Sequence, residues 1–499
     1  MENKKPEEAS STPTLSSAPS AASPNEKPLK LNYKRTLIIG FAFFGILLLW
    51  QVYDSWCPTF LTELFAKKMY PNETTLTTAE KLDVQYLVGI MMAIDNMAAL
   101  FMLPIFGSWS DKTHTKIGKR MPFILIGTLV AAICFPFIPL FFHNGSLVGT
   151  ICMMAAVIFF MMMYRSPAVA LMPDITPKPL RAKANGLINI MGFLGGGFAT
   201  VFGLIFVLSD YLGTNGKTTW ATGNLWAVEL PFLGASVLML ISCGVLFWKI
   251  KENKLEAELA PEMKRGEQEA AIADSVEDDV EKPMSKANKR MLFLILAAEV
   301  LWFFADNAIG TYIGNYTIYY LEASSKSTMI NTIIGGLASV AGFIAAGPIA
   351  DKIGRKWTIS MGLGLYIIGM VIMCFVRPLD AHTASGDHVF PWLLYVVWGI
   401  KGFGWALINT CSFPMVVELC SSKKIGKFTG YYYAASMTAQ SLTPIVLGLI
   451  FKATQVWWVL PIYSLCFIIA SFVVFLFVAN VKAHKLENKK GLEALGGDD

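Results

Sequence analysis

Charged side chains inside long apolar stretches are the residues of this sequence whose types and positions could do chemistry. A charge in such a stretch is costly and marks a functional site by default. Acids outnumber bases four to two, and an unpaired carboxylate in a medium of low dielectric constant favours the uptake of a proton or another cation. The alternative is that the two bases bridge acids on neighbouring helices and only fix their packing. The six residues are Asp54, Asp95, Arg165, Glu299, Asp306 and Lys401.

Asp95 is the strongest candidate for binding a coupling cation or proton. The segment IDNMAALFMLP places it near the middle of an apolar stretch, with Asn96 beside it. Asp54, in the preceding apolar stretch, is the second candidate. Arg165 could hold one of these carboxylates ionised until a proton or Na⁺ takes its place. No histidine lies in the middle of an apolar stretch, so proton binding there falls to carboxylates.

Aromatic and amide side chains accompany these charges at helical spacing, which places them on the same helix faces. Flat aromatic faces suit the C–H surfaces of a sugar, and carboxylate, amide and ammonium groups suit its hydroxyls. The alternative for each tryptophan is an anchor at the lipid headgroups. The predicted sugar-binding residues are Trp50, Gln51, Asp54, Asn96, Tyr164, Arg165, Asn189, Glu299, Trp302, Asp306, Lys401, Trp405 and Asn409.

Twelve apolar stretches must position these side chains, and each has the length of about 20 residues that a bilayer-spanning helix requires. Charged residues make up 15% of the 499, against about 25% in soluble proteins. Lipid is therefore the expected solvent for most of the chain. We number the stretches spans 1 to 12: 36–62, 84–109, 122–143, 148–173, 183–211, 225–249, 291–321, 328–350, 357–377, 390–419, 427–452 and 456–481.

Polar segments divide the twelve spans into two sets of six. Residues 1–35 are rich in Ser, Pro, Lys and Glu and are predicted to be a disordered tail. The charged segment 250–290 is predicted to be a solvated linker, and 482–499 a second tail. The expected domains are therefore two six-helix bundles, 36–249 and 291–481.

The distribution of basic residues predicts the orientation in the membrane. If both termini are cytoplasmic, 32 of the 41 Lys and Arg residues lie on the cytoplasmic side and seven on the other. The positive-inside rule therefore predicts cytoplasmic termini, a cytoplasmic linker and a multi-pass protein of the cell membrane. Since the basic residues sit in short loops between apolar spans, their excess does not indicate binding to nucleic acid.

A loop motif occurs twice, which points to two homologous halves. GSWSDKTHTKIGKRMPF at 107–123 follows span 2, and GPIADKIGRK at 347–356 follows span 8. Asp111 and Asp351 are 240 residues apart, and further matching residues follow at an offset of 244. Transporters built from such repeats bind their substrate between the halves, near the bilayer midplane.

This duplicated loop on a six-plus-six layout resembles the major facilitator superfamily. The resemblance implies an all-α membrane protein of twelve helices in two pseudo-symmetric bundles, which alternates between outward-facing and inward-facing states. In the resembling family, the acidic and basic residues of these loops and their partners latch the cytoplasmic side. The residues that match are Asp111, Lys119, Arg120, Asp174, Arg181, Asp351, Arg355, Lys356, Glu418 and Lys427.

Two stretches resemble the glycoside branch of the superfamily, which includes plant sucrose transporters and melibiose-type permeases. SDKTHTKIGKRMPFIL is similar to the SD…GRRRPF loop of the sucrose transporters, and PAVALMPDI at 167–175 to their GPCRALLADL stretch. Melibiose-type members carry an acid two residues before the proline that matches Pro167, whereas this sequence carries Arg165. Their sodium site therefore does not transfer as a whole.

The sequence thus predicts a monomeric carrier that imports a small sugar or glycoside, such as sucrose, maltose or another glucoside, together with a cation. H⁺ is favoured over Na⁺, and no other cofactor or metal is expected. The alternatives are a drug or metabolite antiporter of the same fold, and a membrane protein that binds sugar without moving it. An enzyme is not expected, because no nucleophile–base pair or metal-ligand cluster accompanies the charges.

Overall fold

The computed structural model describes residues 29–73, 76–213, 225–277, 286–383, 386–417, 419 and 425–479, and all structural statements concern these. From Leu31 onward the chain forms one compact unit. It is nearly all helical, which confirms the predicted fold class. Its non-helical pairing consists of two isolated β-bridges at Ala323, His382 and His388.

Sixteen α-helices run through the described residues, together with a 3₁₀ turn at Lys178–Leu180 and a π-helical turn at Tyr316–Tyr320. They are α1 Tyr33–Met69, α2 Thr78–Asp83, α3 Gln85–Lys112, α4 Met121–Cys134, α5 Phe137–His143, α6 Leu147–Asp174, α7 Arg181–Ile205, α8 Leu208–Leu212, α9 Leu225–Lys249, α10 Glu252–Glu277, α11 Lys286–Asn315, α12 Ser325–Ile353, α13 Arg355–Phe375, α14 Leu393–Val417, α15 Ile425–Thr454 and α16 Val459–Leu476.

Eleven of the spans are helices, or closely joined helix pairs, that are long and apolar enough to cross a membrane. The remaining predicted span, 390–419, contains α14, which is 25 residues long and carries Lys401 and Asn409. These polar residues lower its hydropathy, and they have partners inside the protein, as described below. Span 3 is divided at Phe135–Pro136 into α4 and α5, and α8 continues span 5 after a break.

The helices pack as two bundles whose most extensive contacts with each other lie along three helix pairs. In the first bundle α1 packs on α7 and α9, and α4 packs on α6; in the second, α14 packs on α12 and α13, and α11 on α16. Between the bundles, α3 packs on α15, α7 on α12 and α1 on α11. We call the end with the loops 107–123 and 347–356 the motif end, and the opposite end the sealed end.

Glycines allow the closest helix contacts, as expected from the Gly-rich stretches of the sequence. A Cβ atom at Gly195 of α7 would overlap the backbone of Phe44 in α1. A Cβ at Gly89 of α3 would likewise overlap the carbonyl of Pro444 in α15, a contact between the two bundles. Small residues therefore set how closely these helix pairs approach.

The linker helix α10 is anchored to the first bundle by Glu252. Its carboxylate, 1% exposed, accepts hydrogen bonds from the backbone N–H groups of Lys119, Arg120 and Met121, at 3.0–3.1 Å. These groups lie at the N-terminus of α4, where unpaired donors and the helix dipole favour a negative charge. Gly118, with φ 126°, precedes them, and a side chain there would overlap Glu252. The sequence predicted a solvated linker, and this contact was not foreseen.

Candidate functional site

The first charge cluster, Tyr53, Asp54 and Asp95, joins α1 and α3. The charges of the two carboxylates interact, and the Tyr53 hydroxyl lies near Asp95 but makes no hydrogen bond to a described residue. Asp95 and Tyr53 are buried, at 4% and 0% exposure, whereas Asp54 is exposed. Within the part of the chain that the structure describes, no Lys or Arg forms an ion pair with either acid, and Oδ2 of Asp95 has no hydrogen-bond partner. The cluster therefore carries excess negative charge, which favours a proton or a cation.

Polar and aromatic side chains predicted from spacing surround this cluster. Trp50 is half-buried, with its ring edge-on to Tyr53 at a centroid distance of 5.9 Å. Gln51 donates to the Ser55 hydroxyl at 3.2 Å, and Asn96 is half-buried beside Asp95. Trp50 therefore contacts the cluster through Tyr53, and a binding role for Gln51 and Asn96 stays a prediction.

The second charge cluster, Asp306, Tyr366 and Lys401, joins three helices of the second bundle. Lys401 Nζ of α14 lies 2.5 Å from Asp306 Oδ1 of α11, and the Tyr366 hydroxyl of α13 donates to the same oxygen at 3.0 Å. Lys401 also lies 5.3 Å from the centre of the Tyr366 ring. This carboxylate has both a cation and a hydrogen-bond donor, so the second cluster is electrically balanced.

Trp405 and Asn409 continue the second charge cluster along α14. The half-buried Trp405 ring lies 6.4 Å from the Tyr366 ring and edge-on to Phe303 at 5.4 Å. Asn409 uses its amide N–H to bond the Trp405 carbonyl, at 3.0 Å. An aromatic face therefore stands next to the Asp306–Lys401 pair, a combination suited to a ligand with both C–H faces and hydroxyls.

A layer of hydrogen-bonded polar side chains closes the sealed end between the bundles. We call it the polar seal: Thr59, Thr62, Gln85, Tyr312 and Asn315. Asn315 of α11 accepts from Thr59 at 2.8 Å and donates to Thr62 at 2.9 Å and to Gln85 at 3.1 Å. Tyr312 donates to the Pro444 carbonyl of its own bundle at 2.6 Å, and its hydroxyl lies 3.3 Å from the Gln85 carbonyl oxygen across the interface. All five side chains are buried, so the bonds from Asn315 to the first bundle lie out of reach of solvent.

Both charge clusters lie below the polar seal, towards the motif end. With a helical rise of 1.5 Å per residue, Asp54 lies about 7 Å from the level of Thr59, and Asp95 about 15 Å from Gln85. Asp306 lies about 13 Å from Asn315 by the same measure. By this measure Asp95 and Asp306 lie at similar depths in opposite bundles, and Asp54 lies closer to the seal.

A buried ion pair stands beside the polar seal. Lys81 Nζ, just before α3, lies 2.9 Å from Glu63 Oε1 of α1, and the two side chains are 1% and 0% exposed. The Tyr319 hydroxyl, from the second bundle, donates to the same Glu63 oxygen at 2.6 Å. We call these three residues the buried gate triad.

The backbone of Arg165 lies nearer the motif end than Asp95. Its neighbour Ser166 on α6 lies beside Gly107 of α3, and Asp95 precedes Gly107 by 12 residues, or about 18 Å along the helix. That Arg165 holds Asp54 or Asp95 ionised stays a prediction. Tyr164 is buried in the interior of the first bundle, where it faces Thr128 and Cys243, and Asn189 is buried on α7.

Glu299 and Trp302 do not join the second charge cluster, although the spacing put them on one stripe with Asp306. Trp302 is fully buried, edge-on to Phe475 of α16 at 6.4 Å. Glu299 is also fully buried, and among the described residues neither of its carboxylate oxygens has a hydrogen-bond partner. Trp302 therefore has a packing role here and cannot stack on a ligand between the bundles.

In the first loop motif the charged residues form one network within the first bundle. The Arg120 guanidinium contacts Asp111 and bonds Asp174 at 2.8 Å, and Lys119 lies 3.3 Å from Asp174. Burial acts to lower the pKa of Arg120, but the hydrogen bonds and charges of Asp174 and Asp111 outweigh it and raise that pKa. Arg181 donates to the carbonyls of Pro173 and Thr176 at the end of α6.

The second loop motif makes different contacts. Asp351 is exposed at the end of α12, and Arg355 is half-buried as the first residue of α13. Lys356 donates to the Leu476 carbonyl of α16 at 3.0 Å, and Lys427 lies over the Tyr431 ring. Glu418 lies outside the described residues. The contact of Lys356 thus differs from that of Arg120 in the first motif, which pairs with Asp111 and Asp174.

Sequence reasoning missed Tyr53, Tyr366 and the buried gate triad. The two charges of the triad carried a signal, since Glu63 stands next to a predicted span and Lys81 just before one. Lys81 was instead assigned to an outside loop, where a solvated charge is the usual interpretation. Tyr53 and Tyr366 look like ordinary core aromatics until their hydroxyls are placed near acids on other helices.

Comparison with known proteins supports the fold. A family model described as Major Facilitator Superfamily matches residues 74–379 and 300–496. The probable metabolite transport protein CsbC of Bacillus subtilis (strain 168) is 23% identical over 455 residues, covering 83% of this chain and 87% of that protein. The isoprimeverose transporter of Lactiplantibacillus pentosus is 22% identical over 295 residues, 58% of this chain and 56% of that protein.

Solved structures show the same architecture. The inward-open xylose transporter XylE from E. coli superposes with a TM-score of 0.58 at 16% identity, over 93% of this chain and 99% of that one. A D-xylose-proton symporter superposes with a TM-score of 0.58 at 14% identity, over 90% and 99%. The family match spans most of the chain, and the described helices have the fold of its transporters. This chain belongs to the major facilitator superfamily and is a multi-pass membrane transporter, not an enzyme.

Proposed function

We propose that this protein imports a small sugar or glycoside together with a cation, by alternating access between two bundles. The observation that supports this proposal most is the contrast between the two charge clusters, which belong to opposite bundles. The first is acidic and lacks a basic partner among the described residues, so it suits a cation. The second combines Asp306, Lys401 and Trp405, so it suits a polyol with flat C–H faces.

The cation acts at Asp54 and Asp95 in this proposal. Two nearby carboxylates repel each other, so binding of one cation relieves both the repulsion and the cost of burying Asp95. Asp54 is exposed, which gives the cation a path to the buried acid. We favour H⁺ over Na⁺, in line with the proton symporter among the structural relatives.

The sugar binds at Asp306, Lys401 and Trp405, with Tyr366 supporting the carboxylate. A hydroxyl can donate to Asp306 and accept from Lys401, so a sugar inserts into an existing charge pair without leaving either group unpaired. Sugar transport agrees with the names of two relatives, the isoprimeverose transporter and the D-xylose-proton symporter. It also agrees with the resemblance of the 107–123 loop to sucrose transporters.

In this proposal, the orientation in the membrane determines which side the sealed end faces. The positive-inside rule places the motif end, with most of the basic residues, in the cytoplasm. The polar seal then closes the extracellular side, and the state is inward-facing. In that state both charge clusters lie on the cytoplasmic side of the seal.

Uptake by proteoliposomes tests the proposal. The purified protein is reconstituted, and a panel of pentoses, hexoses and disaccharides is offered with an imposed proton gradient, a sodium gradient or neither. We expect accumulation of at least one sugar with a proton gradient directed inward. Accumulation only with the opposite gradient would indicate an antiporter, and sugar binding without any uptake would indicate a sensor; either result contradicts the proposal.

A further inference from the structure

The buried gate triad is the point where a residue of the second bundle meets a complete charge pair of the first. Glu63 and Lys81 both belong to the first bundle, on α1 and just before α3. Tyr319, in the π-helical turn after α11, contacts both: its hydroxyl bonds Glu63 at 2.6 Å, and its ring centre lies 4.6 Å from Lys81 Nζ. One side chain thus bonds the anion and covers the cation.

Aromatic residues keep water away from the triad. The rings of Tyr319 and Trp457 lie 6.2 Å apart, and Phe451 packs on Trp457 at 5.2 Å. Trp457 and Phe451 are 3% and 0% exposed. The charge pair is therefore dry in this state, which costs desolvation free energy that its attraction need not fully repay.

We propose that the hydrogen bond of Tyr319 holds the extracellular gate closed. The free-energy cost of keeping the Glu63–Lys81 pair away from water favours the open gate. This rests on the proposed function, in which the sealed end faces outward. When the bundles part at this end, the pair remains whole in the first bundle and becomes hydrated, while Tyr319 leaves with the second bundle. The hydrogen bond from Tyr319 therefore favours the closed gate, and desolvation of the pair favours the open gate.

The polar seal differs from the triad in the free-energy cost of removing its side chains from water. Its side chains are neutral, so burying them costs less than burying two charges. The triad therefore provides two opposing contributions. Removing the Tyr319 hydroxyl should open the gate, and replacing both charges by apolar side chains in the Tyr319→Phe background, where the hydrogen bond is already absent, should close it again.

External labelling of a cysteine introduced as Ser55→Cys measures the open population. Ser55 is half-buried on α1, between the first charge cluster and the seal, and the protein without this substitution reports labelling of the native cysteines. A membrane-impermeant maleimide is added from outside to oriented proteoliposomes. Tyr319→Phe should raise the labelling rate roughly tenfold, the effect of losing one hydrogen bond to a charged group. Adding Glu63→Met and Lys81→Met to Tyr319→Phe should lower the rate below that of Tyr319→Phe alone, because neither variant has the Tyr319–Glu63 hydrogen bond.

Tyr320→Phe is the matched control, because Tyr320 is the next residue and packs on Tyr316 outside the triad. It should leave labelling unchanged. An unchanged or lower rate in Tyr319→Phe, or a triple variant that labels no more slowly than Tyr319→Phe, would overturn the proposal. If the triple variant does not fold, the Tyr319→Phe and Tyr320→Phe pair still decides. Since labelling requires neither sugar nor cation, the gate can be confirmed even where the transport proposal fails.

Discussion

The two charge clusters lie in the two bundles of a duplicated fold, yet they differ in charge balance: the first has excess negative charge and the second is balanced. In the first, Asp54 and Asp95 face each other with Tyr53 as a polar neighbour. In the second, Asp306 has Lys401 at 2.5 Å and the Tyr366 hydroxyl at 3.0 Å. The difference shows how two bundles of the same architecture can take different roles. A bundle with excess negative charge responds to cations, and a balanced bundle can hold a neutral ligand.

The largest effect is expected at the acidic cluster. Asp95→Asn removes the buried charge while keeping its shape, so we expect sugar accumulation driven by a cation gradient to be lost, with some exchange of labelled for unlabelled sugar remaining. Uptake and counterflow in proteoliposomes measure the two activities.

Glu299→Gln is the matched control for Asp95→Asn, since Glu299 is also a buried acid without a hydrogen-bond partner among the described residues, but belongs to neither cluster. It should retain accumulation. Full accumulation by Asp95→Asn would remove Asp95 from the coupling mechanism and with it the contrast between the clusters.

The second expected effect comes from making the balanced cluster resemble the acidic one. Lys401→Met leaves Asp306 without its cation, and we expect a stability loss of about 3 kcal/mol, the lower end for breaking a buried pair. The pair is 16% and 22% exposed, so solvent screens it only in part. Thermal unfolding in detergent measures the change, and sugar binding should weaken in parallel.

The double variant Lys401→Met with Asp306→Asn tests the cause of that loss. It removes both charges, so most of the stability should return while sugar binding stays weak. A double variant as unstable as Lys401→Met would mean that the loss came from packing around Lys401 and not from an uncompensated carboxylate.

A smaller effect is expected at the aromatic face beside the second cluster. Trp405→Phe reduces the stacking surface, so sugar affinity should fall roughly fivefold, or about 1 kcal/mol, with the ion dependence unchanged. Trp302→Phe provides the comparison, because Trp302 is sealed in the core: it should change stability and leave affinity alone. If Trp302→Phe lowered the sugar affinity and Trp405→Phe did not, the roles that we assign to the two tryptophans would be exchanged.

The smallest effect is expected in the first loop motif. Asp111 is 61% exposed, so Asp111→Asn should change stability by less than about 1 kcal/mol. Because the pKa of Arg120 is raised, its charge stabilises the folded state at all pH values below the ordinary arginine range and is lost only above it. The effect of Asp111→Asn, measured by thermal unfolding, should therefore be the same at pH 6 and pH 9. A smaller effect at pH 9 would mean that Arg120 loses its charge there.

Much of the fold follows from the sequence alone. The twelve apolar spans, the duplicated loops and the excess of acids within the spans are all visible without coordinates, because lipid requires long apolar helices and penalises every charge inside them. Spacing along one helix also fixed which neighbours share a face, so Trp50, Gln51 and Asp54 come together, as do Lys401 and Trp405.

The tertiary structure decided which helices those faces meet. Periodicity gives the angle between Trp302 and Asp306 on α11, but not the rotation of α11 against its neighbours, and packing turned Trp302 to α16 and Asp306 to α14. The depth at which two helices lock is likewise set by contacts such as Gly107 with Ser166, which places the backbone of Arg165 nearer the motif end than Asp95. Rotation and offset depend on side chains from different parts of the chain, so a single helical pattern cannot contain them.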